Sequence, residues 1–102
     1  MKKARPKINL NKLREIGWSH WDPIGLNDRI EGWKDEPFED EYDTYLVKAA
    51  RMLRNQRSMD DVVEYLFFVE TEYMGLGVGP NEAYIRERLA RVVQAIADEP
   101  FI

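Results

Sequence analysis

His20 and Asp22 stand two residues apart, and Glu70 is the third group with which they could share chemistry. A carboxylate beside an imidazole orients the ring and raises its pKa toward neutrality, as a general base or a metal site requires. On that reading His20, Asp22 and Glu70 make a hydrolytic or metal-binding site. The composition argues against it. His20 is the sole histidine and cysteine is absent, so a transition metal would find one nitrogen donor and no thiolate. The Glu-x-x-His pattern of a di-iron site is also missing. The competing reading is structural: Asp22 accepts backbone N–H groups in a turn set by Pro23, and His20 is a half-buried neighbour. Glu70, four residues from Leu66, is then paired with a backbone N–H of the tryptophan segment, with His20 or with an arginine. No catalytic residue, metal or cofactor is assigned.

A second candidate is a surface. Asp35, Glu36, Glu39, Asp40, Glu41 and Asp43 crowd like charge into nine residues, and Trp33, Phe38, Tyr42 and Tyr45 lie within or beside them. A helix start uses only a few acids to offset its dipole, and the remainder repel one another. Aromatic residues rimmed by acids suit a patch that holds a basic protein. The bland alternative is a solvated helix start with core aromatics.

Two other features carry less. Residues 75–80, Gly-Leu-Gly-Val-Gly-Pro, follow a helical pattern and lack the Walker lysine, so they read as a helix stop and a link. The N-terminus bears Lys2, Lys3, Arg5, Lys7, Lys12 and Arg14 with no acid, a basic arm that reads as a frayed terminus over residues 1–7. The net charge of −4 counts against nucleic acid as partner.

These groups must be positioned by helices. Asn9 or Asn11 caps a short helix to about Ile16, with Leu10, Leu13 and Ile16 as its stripe and Gly17 as its stop. Residues 18–34 read as an irregular loop, punctuated by Pro23, Gly25 and Gly32 and folded onto the helices by Trp18, Trp21 and Trp33. Residues 39–56 read as a strong helix with Tyr42, Tyr45, Leu46, Ala49, Met52 and Leu53 inward. Ser58 and Asp61 make a variant capping box for a third helix, whose stripe is Val62, Leu66, Val69 and Tyr73. The last helix buries Ile85, Leu89, Val92, Val93 and Ile96 and stops before Pro100.

The expected fold is all-α: a single domain over 1–102, with three long helices, a short N-terminal one and a tryptophan-rich loop packed across them. The most apolar run, residues 62–69, is broken by Glu64, so no membrane span is expected.

Three blocks carry a resemblance: WDPIG at 21–25, DEYDxY at 40–45 and ExxYMGL at 70–76. Over about residues 10–97 the chain resembles a group of small uncharacterised bacterial proteins with these blocks in this order. The resemblance implies a cytoplasmic, all-helical protein. Some similar small acidic helical proteins are immunity proteins that neutralise a toxin. Together the readings favour a module for a protein partner, a basic one, with self-association left open.

Overall fold

The computed structural model describes residues 7–22 and 40–100, and every regular element among them is helical. Helix α1 is Leu10–Ile16. Asn9 caps it, its side chain accepting from the Lys12 N–H at 3.2 Å. Gly17 does not stop the chain. Its φ of −61° and ψ of −45° are helical, and a π turn, Gly17–Trp21, continues the axis. The expected irregular loop is thus helical through Trp21. Asp22 ends it at φ 35°, a left-handed geometry that aspartate tolerates better than most residues, with its N–H returning to the Gly17 carbonyl at 2.9 Å. Pro23 and Gly25 lie outside the described residues.

Helix α2 is Asp43–Arg54, preceded by turns at 40–42, so it begins later than its acidic run suggests. Of those acids, only Asp43 lies in its first turn. Arg51 and Arg54 occupy the last turn, where the carbonyl end of the dipole favours cations. Helix α3 is Met59–Phe68, and Ser58 Oγ accepts from the Asp61 N–H at 3.1 Å as the capping pattern requires. A second π turn, Val69–Tyr73, extends it. Gly75 then turns the chain at φ +73°, and the Leu76 and Gly77 N–H groups return to the Glu70 and Thr71 carbonyls. Helix α4 is Glu82–Ala97.

One core joins all four helices. Leu13 and Ile16 of α1 meet Leu46, Ala49 and Ala50 of α2, Val62 and Leu66 of α3, and the five expected apolar positions of α4. Trp18 and Trp21 of the first π turn are buried in the same cluster. Gly17 is needed for close approach: a Cβ there would lie 2.6 Å from Leu46 Cδ1. Among the described residues no helix is long and apolar enough to cross a membrane.

Candidate functional site

The two π turns face each other through one hydrogen bond. Trp21 Nε1 donates to Glu70 Oε1 at 2.9 Å. Glu70 is buried, and its other oxygen accepts from Arg88 Nη2 of α4 at 2.6 Å. The carboxylate is therefore held by an indole N–H on one side and a guanidinium on the other. A buried charge is tolerable only with such partners. Arg88 Nε is buried without an acceptor among the described residues, which offsets part of what the pair contributes.

The backbone around Glu70 departs from the α-helical ladder. The Thr71 hydroxyl donates to the Phe67 carbonyl one turn back at 2.7 Å. The ladder instead runs from the Met74 N–H to the Val69 carbonyl, five residues back. Glu70, four residues beyond Leu66, faces the core by ordinary helix period, and Thr71 is buried beside it. The widened turn carries Tyr73, expected in the buried stripe, out to 69% exposure.

Asp22 accepts at Oδ1 from the Tyr42 hydroxyl at 2.9 Å. Tyr42 is in the core, its ring centroid 4.7 Å from that of Trp18 and 5.3 Å from that of Trp21. Its spacing assigns it to the buried helix face, whereas its acidic neighbours assign it to the binding surface, and the structure puts it on the first: its hydroxyl reaches a half-buried carboxylate while its ring packs against two indoles. Asp43 is likewise committed: Arg14 of α1 grips it through Nε at 3.0 Å from Oδ1 and Nη2 at 2.7 Å from Oδ2.

Outside this core lies a tyrosine pair. Tyr45 is half-buried, edge-on to Trp21 at 6.3 Å on one side and to Tyr73 at 5.9 Å on the other. Burial raises the Tyr45 phenol above its ordinary pKa of 10.0, and the Tyr73 phenol and the Glu41 carboxylate nearby add to the rise. Tyr65 is raised mainly by burial, and Lys48 Nζ sits 4.9 Å above its ring. Asp40 and Glu41 are exposed.

The expected site residues thus separate into three groups. Trp33, Asp35, Glu36, Phe38 and Glu39 lie outside the described residues. Trp18, Trp21, Tyr42 and Glu70 are core, and Asp22 and Asp43 are half-buried at its margin. Asp40, Glu41 and Tyr45 remain at the surface and gain Tyr73. His20 is exposed near Lys12, Glu15 and Glu99, whereas Glu70 is buried with both oxygens engaged. Among the described residues no three histidine, aspartate or glutamate side chains gather where a metal could be held. Of the partners considered for Glu70, the arginine is the one present, joined by the indole N–H of Trp21. Arg88 itself left one clue in the sequence: it stands between Ile85 and Leu89, beside the core stripe of α4. No protein-family model, curated protein or solved structure matches the chain.

Proposed function

We propose that this protein is a binding module that holds a basic partner protein on the surface formed by Asp40, Glu41, Tyr45 and Tyr73. The observation that carries the reading is Tyr73, 69% exposed, edge-on to Tyr45 with Glu41 alongside. Tyrosine supplies large contact area at little conformational cost, and it is enriched among residues that dominate binding energy. The exposed acids beside it would steer a cationic protein toward the ring pair. The acidic, aromatic sequence of residues 33–39 leads directly into Asp40 and belongs to the same reading. A cytoplasmic, immunity-like role, in which the partner is a toxin or nuclease domain, is the sharpest form of this proposal.

The test is capture from the native cell extract with the wild type and with Glu41→Lys/Tyr73→Ala. Both positions are exposed, so the variant should retain its helical circular dichroism. A basic protein held by the wild type and lost by the variant is the expected result. Its association rate should also fall steeply with salt, because steering is screened over about 8–10 Å at physiological ionic strength. Equal capture of the same proteins by both forms would remove the basis of the reading.

A further inference from the structure

A second surface of opposite chemistry runs along the flank of α2 that faces α1. Its floor is apolar: Ile8 just before α1, Leu10 at its start and Val47 from α2. Thr44, Val47, Lys48 and Arg51 follow the three- and four-residue spacing of one helix face. The groove forms two adjoining stretches, of about 460 Å³ and about 430 Å³, which share Leu10, Val47 and Arg51. Its rim is cationic, with Lys7, Lys48, Arg51 and Arg54 against Asp43, whose carboxylate is already gripped by Arg14. The side chains of Lys7 and Arg51 are exposed and make no hydrogen bond or ion pair among the described residues. On a chain of net charge −4 this concentration of positive charge beside exposed apolar surface is a local exception.

We infer that this groove docks an acidic amphipathic helix of a partner protein. Apolar side chains of that helix at three- and four-residue spacing would cover Ile8, Leu10 and Val47. Its flanking carboxylates would meet Lys7, Lys48 and Arg51. The occupant is a polypeptide segment, because the groove continues through two adjoining stretches and is open: Leu10 on its floor is 37% exposed. Small ligands favour concave sites that enclose most of their surface, whereas amphipathic helices lie in open grooves. The charge of the rim fixes the sign of the partner.

The experiment titrates the full chain into a fluorescein-labelled synthetic helix with leucines at the helical spacing and glutamates beside them, read by anisotropy. A matched peptide with lysine for each glutamate is the control. Saturable binding of the acidic peptide alone is expected, weakened about tenfold by Lys7→Glu/Arg51→Glu, since reversing rim charges acts on steering and register. The neutral pair Lys7→Gln/Arg51→Gln should give a smaller loss and guards against misfolding of the reversal. Equal binding of both peptides, or an affinity indifferent to the reversal, overturns the inference. So does saturable, reversal-sensitive binding of dodecanoate without peptide binding, which would make the occupant a small amphiphile. Self-association of the wild type that the reversal abolishes, again without peptide binding, would assign the groove to a second copy.

Discussion

Glu70 joins three elements, and its removal should be felt in each. Replacing one member of a buried ion pair strands the other, so Glu70→Ala should lower stability by about 3–5 kcal/mol in urea unfolding. Because Glu70 and Arg88 act on each other, the double variant Glu70→Ala/Arg88→Ala should cost clearly less than the two single losses added together. Tyr42→Phe deletes only the hydroxyl that reaches Asp22, and about 1 kcal/mol is expected from the same measurement. The raised phenols make a pH prediction. A group whose folded pKa exceeds its unfolded value binds more protons when folded, so its contribution is complete below the unfolded pKa. Tyr45 and Tyr65 therefore contribute fully below pH 10.0, the ordinary value, and stability falls as the pH rises above it. An ultraviolet titration should find the Tyr45 and Tyr65 phenols ionising late, and Glu41→Gln should bring the Tyr45 step earlier.

At the scale of the element, glycine and the π turns divide what the sequence makes legible from what it hides. Gly17 reads as a helix stop, because glycine is common past helix ends. Its real use is the approach of α1 to Leu46, a long-range fact with no local signature. Gly17→Ala gains up to about 1 kcal/mol of helix propensity, and forcing a methyl against packed Leu46 costs about 1–3 kcal/mol. The second effect wins, and the melting temperature should drop. Where hydrophobic period alone decides, the sequence is a good guide: Ile85, Leu89, Val92, Val93 and Ile96 are all buried as their spacing implies. That reading fails after Glu70, where the widened turn changes the phase and sends Tyr73 outward. The apolar period assigns Tyr73 to the core for the same reason that it hides the tyrosine pair.

At the scale of the whole molecule, one core among the described residues spans α1 to α4, so a defect in one should be felt by all. Leu89 is fully buried in α4, and Leu89→Ala should cost about 2–5 kcal/mol, a large share of a typical domain's 5–15. The helical class follows from periodicity and caps, which are local. The candidate surface was only half legible. Its acids are visible in the run from Asp35 to Asp43, but Tyr42 and Asp43 are spoken for by partners far along the chain. No spacing rule could announce that Arg14, twenty-nine residues earlier, would take Asp43. Charge is divided in space as well: acids beside Tyr45 and Tyr73, cations along the groove of α1 and α2.

The indole of Trp21, held against Glu70 and packed beside Tyr42 and Tyr45, also gives the molecule an optical handle. Its excited state relaxes among fixed neighbours, so the native emission should be short in wavelength and fed by energy transfer from the adjoining tyrosines. Unfolding wets the ring and moves the tyrosines away. Emission should then shift to the red while tyrosine light reappears. Because Trp21 sits in the shared core, the shift should coincide with loss of helical ellipticity in one transition. In a Trp33→Phe background, which leaves only the indoles of the first π turn, a red shift at lower denaturant than the ellipticity change would mean that this turn undocks as a unit of its own.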